Sequence, residues 1–213
     1  LSNSKIISIL VEEALSIRGI FNKENGKVTQ SYQQINDHKL DCTISVKPTH
    51  IGLSISYAEA LENLTLISKK ASELHNFLRI DMESSEYTEQ TFGLLMDCKK
   101  ITKNIGVAMQ AYLLRSLNDI DKLANTEFNA RICKGIYKEN SSVSYKTKMD
   151  INNNFMLMAK KMAKKGSFAG YATHDQELID ELLDWIQTER IPSEQFEFQT
   201  LYGVPMEGRL ENL

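Results

Sequence analysis

The chain is poor in cysteine, in long apolar runs and in glycine-rich loops. Its 213 residues include three cysteines, Cys42, Cys98 and Cys133, which lie far apart and form no Cys-x-x-Cys pair. This spacing predicts neither a disulfide framework nor a zinc site, and it favours a reducing compartment. No apolar run approaches the ~18 residues that would span a bilayer. No Gly-x-Gly-x-x-Gly loop is present, so a Rossmann-type nucleotide site is not predicted.

An excess of positive charge is also missing. The formal net charge is -3, which argues against a nucleic-acid partner because such binders usually carry a basic surplus. His38, His50 and His75 fall in unrelated contexts without a ligand partner at helical spacing, so we predict no metal site. With 42% hydrophobic residues the chain can bury one core, and we predict a single domain over residues 1–213.

Short apolar or β-branched runs followed by polar residues recur along the chain. The runs are residues 43–46, 77–80, 105–109, 130–133, 168–172 and 196–198. The polar residues that follow them are Lys47, Asp81, Gln110, Lys134, Thr173 with His174, and Gln199. Their spacing is typical of repeated strand-helix units.

Helical periodicity fills the gaps between these runs. Apolar residues recur every three or four positions from Ala58 to Leu74, from Ile151 to Met162 and from Leu178 to Ile186. Ser56 with Glu59 has the pattern of a capping box, and Asp150 and Asp175 stand where N-caps are expected. Alternating strands and helices predict a parallel α/β barrel, although 213 residues is short of the ~250 typical of eight units. In such a barrel the polar strand-end residues converge at one mouth.

Five ordered segments closely resemble the proline dehydrogenase family. They are residues 44–49, 78–84, 131–139, 172–175 and 196–203, and the last reads Phe-Glu-Phe-Gln-Thr-Leu-Tyr-Gly. The resemblance implies a (β/α)8-type TIM barrel that binds FAD across its mouth. It also implies oxidation of L-proline to 1-pyrroline-5-carboxylate, the first step of proline catabolism, with electrons passing to a quinone.

The same resemblance assigns roles to the strand-end residues. Asp81 and Arg131 match catalytic positions, with Arg131 beside the flavin, where a guanidinium would stabilise the negative charge of the reduced ring. Lys47 matches the lysine near the substrate carboxylate. The cofactor-binding positions are Met82, Gln110, Lys134, Gly135, Ile136, Tyr137, Thr173, His174 and Gln199. Ile136 replaces the family's usual alanine, and we expect this larger side chain to narrow the pocket.

Both ends of the chain depart from the family pattern. Residues 6–13 fit either a first barrel strand, with Val11 in place of a glycine, or an amphipathic helix running to Ile20. After residue 203 the family continues into an eighth strand and a helix with paired arginines that hold the proline carboxylate. Only residues 204–213 remain here, so we expect the eighth unit to be absent and Arg209 to be a poor substitute for the pair.

Two other functions stay open on the residues alone. A barrel lyase of the aldolase kind would use Lys134 or Lys47 as a Schiff-base amine. The second possibility is a non-catalytic remnant that binds no flavin. The lysine-rich run 160–165 fits either peripheral contact with an acidic membrane or the solvated face of a helix. The resemblance implies a cytoplasmic protein or one peripheral to the inner membrane, which in a eukaryote would be mitochondrial.

Overall fold

Parallel strands alternate with helices throughout the computed structural model, which describes residues 7–10 and 21–201, with side chains from residue 27 onward. The strands are β1 (Ile7–Leu10), β2 (Cys42–Val46), β3 (Leu78–Ile80), β4 (Ile105–Gln110), β5 (Asn129–Cys133), β6 (Phe168–Ala172) and β7 (Phe196–Gln199). The α-helices are α1 (Phe21–Asp37), α2 (Tyr57–Glu73), α3 (Thr88–Cys98), α4 (Ser116–Leu123), α5 (Lys148–Lys164) and α6 (Gln176–Glu189). Short 3-10 helices occupy Pro48–Ile51, Ser85–Tyr87 and Ser193–Gln195.

The hydrogen-bonded order of the strands is their order along the chain. The chain divides into two compact units, of which the first ends at Val107 and the second begins at Ala108, inside β4. In the first unit β1, β2, β3 and the start of β4 pair in parallel. In the second unit β5, β6 and β7 pair in parallel. The predicted parallel α/β fold is confirmed, and the described residues hold seven of the eight strands of a complete barrel.

The core of the first unit is built mainly of apolar side chains, and it includes a buried phenol. Ile44 and Ile80 on neighbouring strands are fully buried, as are Leu64 and Ile67 on α2. Tyr32 of α1 is equally buried, and its hydroxyl donates to the carbonyl oxygen of Phe77 at 3.0 Å. A buried phenol needs such a partner, and this hydrogen bond joins α1 to the segment that enters β3.

The two faces of the second unit's sheet differ in character. Ile132 and Tyr171 are register partners, and the Tyr171 ring lies 6.4 Å from the ring of Phe155 on α5. This face is therefore covered by helix. Because side chains alternate along a strand, Arg131 and its register partners Gly170 and Glu197 lie on the opposite face. The polar residues therefore lie on the face of the sheet that α5 does not cover.

The three predicted helix starts are capped in different ways. Ser56 caps α2 as predicted, and its hydroxyl accepts from the Glu59 amide at 3.1 Å. The prediction for Asp150 is wrong, because α5 begins three residues earlier and Thr147 accepts the Asp150 amide at 3.1 Å. Asp175 is the N-cap residue of α6, but its carboxylate makes no capping hydrogen bond. It binds lysines instead.

The predictions for the chain ends are tested only in part. Residues 7–10 form β1, so the strand interpretation holds for these four, while Val11 and Ile20 lie outside the described residues. The predictions for residues 204–213, including Arg209, also lie outside them. Among the described helices, none combines the length and apolar character needed to cross a bilayer.

Candidate active site at the strand ends

Lys47 and Asp81 leave neighbouring strands of the first unit side by side. Val46 and Ile80 are register partners, and the Asp81 amide extends the ladder by donating to the Val46 carbonyl at 2.8 Å. Lys47 is held extended, with ψ 130°, as expected of a residue that precedes a proline. Asp81 and Met82 are buried, and Lys47 is half-buried. The three residues predicted for the first unit therefore come together at one edge of its sheet.

The first unit also buries an arginine to which the sequence assigned no role. Arg79 lies inside β3 and is 4% exposed. Its Nη1 donates to the carbonyl oxygen of Val107 at 3.3 Å, and its guanidinium stands 4.9 Å from the centre of the Phe77 ring. A charge inside a strand is costly unless it is bound. The contacts with a carbonyl and an aromatic face help to offset the cost of burying Arg79.

Arg131 and Gln199 form the central contact of the second unit's polar face. Arg131 Nε donates to Gln199 Oε1 at 2.6 Å, and the Gln199 amide donates in turn to the Glu197 carboxylate. Gln199 crosses β6 at Gly170, where an added Cβ would lie 2.6 Å from Gln199 Nε2. The glycine therefore leaves the space through which β7 reaches β5. This arrangement presents a half-buried guanidinium in a set orientation.

Lys134 pairs with Asp175, so a residue predicted to bind cofactor is already part of an ion network. Asp175 accepts hydrogen bonds from Lys134 and from Asn152 (3.1 Å), and Lys148 Nζ lies 3.3 Å away. Burial by itself raises the pKa of Asp175, but the hydrogen bonds from Lys134, Asn152 and Lys148 outweigh it and hold that pKa well below the usual range. The carboxylate is ionised, and it forms an ion pair with Lys134.

The backbone after β5 has a shape that only glycine accommodates. Gly135 has φ 105°, and a Cβ there would lie 2.2 Å from the Tyr112 ring. The amides of Ala111 and Tyr112 donate to the carbonyls of Cys133 and Lys134, at 2.7 and 2.9 Å, which fixes this stretch beside the chain that leaves β4.

Ile136 and Tyr137 follow Gly135 along the chain. The Ile136 side chain is 88% exposed, and Tyr137 is partly exposed. The expectation that Ile136 narrows a pocket stays a prediction.

Gln110, Thr173 and His174 complete the predicted set in the second unit. Gln110 ends β4 and is buried, and its carbonyl accepts the Ser116 hydroxyl at 2.6 Å. Thr173 Oγ1 accepts the Asp175 amide at 3.1 Å, and His174 Nε2 accepts the Leu201 amide at 3.0 Å. An imidazole nitrogen that accepts carries no proton. In neutral His174 the donor is therefore Nδ1.

Sequence reasoning assigned no site role to three charged residues that lie in these strands or near their ends. Arg79 was not given a role, Asp175 was assigned only as a cap, and Glu83 was overlooked although it follows Asp81 and Met82. The signal for each was its place inside a strand or within three residues of a strand end. Among the residues that the structure describes, no cluster of histidine, cysteine and carboxylate side chains has the geometry of a metal centre.

Comparison with known proteins places the chain in a family. Its fold and site define an α/β protein of barrel type with polar residues at the carboxyl ends of parallel strands. The sequence profile of the proline dehydrogenase family matches residues 4–208. The chain belongs to the proline dehydrogenase family, as its motifs predicted.

Individual relatives agree with this assignment. Proline dehydrogenase 1 of Bacillus subtilis subsp. natto is 36% identical over 182 residues, which is 85% of this chain and 60% of the relative. Proline dehydrogenase 2 of Bacillus subtilis (strain 168) is 30% identical over 211 residues, 98% of this chain and 70% of the relative. The chain thus spans about 60% of the length of the first of these relatives.

A solved structure shows the same fold at lower identity. Proline utilization A (PutA) from Bdellovibrio bacteriovorus, inactivated by N-propargylglycine, superimposes with a TM-score of 0.84 at 19% identity. The match covers 97% of this chain and 27% of that one. At this identity the likeness establishes the fold alone.

Proposed function

We propose that this protein oxidises L-proline to 1-pyrroline-5-carboxylate with FAD as the hydride acceptor. The observation that carries the proposal is Arg131, a half-buried guanidinium held by Gln199 at the polar face of a parallel sheet. Family membership selects the substrate, because the relatives are named proline dehydrogenases. FAD, when bound, supplies the hydride acceptor that protein side chains lack.

The donors on this face fit a flavin cofactor. Arg131 offers a fixed cation for a ring that gains negative charge, and Gln110 offers an amide at the neighbouring strand end. Lys134, Thr173 and the Nδ1 of His174 are donors of the kind that a diphosphate requires. Met82, Gly135, Ile136 and Tyr137 are the remaining proposed contacts. No glycine-rich nucleotide loop is needed for this mode of binding.

The substrate side of the proposal rests on the first unit. Lys47 is the proposed partner of the proline carboxylate, and Asp81, beside it in register, is proposed to organise the site. The reacting amine must lose its proton before hydride departs, because an ammonium has no lone pair to assist. We therefore expect the reductive rate to rise with pH toward the amine pKa of roughly 10.

The Schiff-base alternative is disfavoured by the surroundings of Lys134. A lysine attacks a carbonyl only as the neutral amine. Lys134 is instead engaged in an ion pair with Asp175, which such an attack would have to break. This contact does not bear on Lys47 as the Schiff-base amine, so the alternative is part of the test.

A quinone is the proposed electron acceptor. The proposed location is the cytoplasm or the periphery of the inner membrane, which in a eukaryote would be the mitochondrial inner membrane.

The lysine-rich run 160–165 supports membrane contact only weakly. Lys161 binds Asp121 at 2.6 Å, and Lys165 donates to the Asp121 carbonyl at 2.7 Å. Two of the four lysines in the run are therefore engaged with α4, while Lys160 and Lys164 are exposed.

A visible absorption spectrum of the purified chain, recorded before and after addition of L-proline without oxygen, tests the proposal. We expect a yellow protein whose colour is bleached by L-proline and not bleached by cyclopentanecarboxylate, which has the same ring size and acid group but no amine. A colourless chain that borohydride traps with a carbonyl compound would indicate the lyase. A colourless chain that is not trapped would indicate a flavin-free remnant.

A further inference from the structure

Glu83 is a buried carboxylate to which the proposed chemistry assigns no role. It is 8% exposed, and both of its oxygens are bound by one residue. The Thr49 hydroxyl donates to Oε1 at 2.7 Å, and the Thr49 backbone amide donates to Oε2 at 2.8 Å. Because side chain and backbone are both held, this contact fixes the position of the Thr49 main chain.

Thr49 stands two residues after Lys47, in a segment with few free torsions. It is the second residue of the 3-10 helix Pro48–Ile51, whose first-turn amides lack partners within the helix. Lys47 makes no capping hydrogen bond to them, so Glu83 caps this helix from another strand end. The proline ring restricts rotation at Pro48. The direction in which Lys47 leaves β2 therefore depends on the Glu83 contact.

The same contact ties Lys47 to Asp81. Glu83 stands two residues after Asp81, as Thr49 does after Lys47. The two segments are joined at their start by the hydrogen bond from the Asp81 amide to Val46, and at their far end by Glu83 and Thr49. Attachment at both ends fixes Lys47 and Asp81 relative to each other.

We propose that Glu83 is a positioning residue that, through Thr49, holds Lys47 in place to receive the substrate carboxylate. The inference rests on the proposed function, in which Lys47 binds that carboxylate. The hydrogen-bonding geometry of Glu83, rather than its charge, carries this role, since a negative charge near an anionic substrate would by itself weaken binding.

Two substitutions separate geometry from charge. Glu83→Ala removes both hydrogen bonds. Glu83→Gln can keep both, because its carbonyl oxygen accepts the Thr49 amide while its NH2 group donates to the hydroxyl oxygen. Asn76→Ala is the matched control. Asn76 joins the same two strands at their opposite ends, where its side chain donates to the Cys42 carbonyl at 3.0 Å and accepts the Phe77 amide at 2.7 Å.

The experiment measures two quantities on the full chain and its variants. One is hydrogen exchange of the backbone amides between Lys47 and Ile51. The other is the dissociation constant for cyclopentanecarboxylate, by calorimetry. We expect Glu83→Ala to speed exchange in this segment and to weaken binding about tenfold or more, the loss that one or two hydrogen bonds to a charged group represent. Glu83→Gln should recover most of the affinity, and Asn76→Ala should leave it unchanged.

A double substitution identifies the residue through which Glu83 acts. In a Lys47→Ala background, Glu83→Ala should weaken binding no further, because the group that it positions is gone. Additive losses would overturn the proposal, as would parental affinity in Glu83→Ala or a Glu83→Gln variant as weak as Glu83→Ala.

Failure of the proposed function has a different signature. If the parent chain binds no cyclopentanecarboxylate, the fault lies in the proposed carboxylate site, to which the family's arginine pair beyond residue 203 also contributes, and not in the role of Glu83. The exchange data then decide the role of Glu83 alone. Unchanged protection in Glu83→Ala would overturn it, and faster exchange confined to the segment from Lys47 to Ile51 would support it.

Discussion

Each unit of the molecule carries an arginine inside a strand, and the two are held in different ways. Arg79 of β3 is the register partner of Gly106, and Arg131 of β5 is the register partner of Gly170. Arg79 is almost fully buried and contacts a backbone carbonyl and an aromatic ring. Arg131 is half-buried and contacts the side-chain amide of Gln199.

The difference shows how similar sequence features serve separate purposes. A carbonyl within a sheet moves little, so Arg79 is locked into the fold of the first unit. The hydrogen bond to Gln199 orients Arg131. Because a glutamine side chain can rotate, Arg131 can still adjust to a ligand. The accessible arginine with a side-chain partner is the better candidate for chemistry.

The largest effect on stability is expected at Gly135, which follows the strand that carries Arg131 and has no room for a side chain. Gly135→Ala must place a methyl group 2.2 Å from the Tyr112 ring while holding φ at 105°. We expect a loss of about 3 kcal/mol or more in the free energy of unfolding, from strain and overpacking together. Urea unfolding measures it.

Gly166→Ala is the control for this prediction. Gly166 also has positive φ, at 69°, but an added Cβ meets only the Thr126 methyl at 3.3 Å. We expect it to cost about 1 kcal/mol. Equal losses for the two variants would show that the Tyr112 contact is unimportant.

The contrast between the two arginines is tested by replacing each with methionine. Arg131→Met should slow flavin reduction by about a hundredfold, corresponding to ~3 kcal/mol of lost electrostatic stabilisation, with little change in stability. Arg79→Met should instead lower the free energy of unfolding by about 2 kcal/mol, because it removes the hydrogen bond that the buried guanidinium makes to Val107. Single-turnover reduction and urea unfolding of both variants give the answer. If Arg131→Met reduces flavin at the parental rate, Arg131 has no role in the mechanism.

The Asp175 network should give the second unit a pH-dependent stability. Because the pKa of Asp175 is lowered in the folded protein, its stabilisation is fully present above the usual aspartate pKa of about 4. It is lost as pH falls below that value toward the lowered pKa. Asp175→Asn should therefore cost about 2 kcal/mol at pH 7, and the difference from the parent should shrink at about pH 3.

Glu177→Gln is the matched control for Asp175→Asn. Its carboxylate also binds Lys148, at 2.7 Å, but lies 82% exposed. We expect little change in stability at either pH, since exposed ion pairs contribute little. A Glu177→Gln effect as large as that of Asp175→Asn would mean that burial is not the deciding factor.

The smallest effect is expected from closing the gap beneath Gln199. Gly170→Ala places a methyl group 2.6 Å from the end of that side chain, which can move away. We expect a loss of about 1 kcal/mol or less in stability and a several-fold slower flavin reduction, because Arg131 loses its partner. Gln199→Ala should reproduce the slower reduction. If both variants reduce flavin at the parental rate, the orientation of Arg131 by Gln199 does not matter for catalysis.

Local pattern predicted most of the fold but not every helix. The periodic apolar residues of α2, α5 and α6 and the apolar runs of β2 to β7 correspond to observed elements. The other three helices were not predicted from periodicity. The eight residues of α4 are too few to establish a period, and α1 is largely polar. Their positions follow from packing against neighbours rather than from a strong local signal.

The candidate site was predictable as a set of positions but not as a set of contacts. Polar residues directly after strands were identified because parallel strands bring their carboxyl ends to one edge. The residues that hold them, Glu83 for the Lys47 segment and Asp175 for Lys134, are separated from their partners by 34 and 41 residues. Which distant groups meet depends on strand register, which no local pattern specifies.

By itself, therefore, the sequence determined the order and type of the main elements, the polar strand ends and membership of the proline dehydrogenase family, because these depend on short-range periodicity and on motifs. Only the tertiary structure decided that Asp175 binds lysines instead of capping α6, that His174 Nε2 accepts a hydrogen bond, and that Glu83 holds Thr49. Hydrogen bonds form only within a few tenths of an ångström of their ideal length. Their partners are therefore selected once register and packing have placed distant segments side by side.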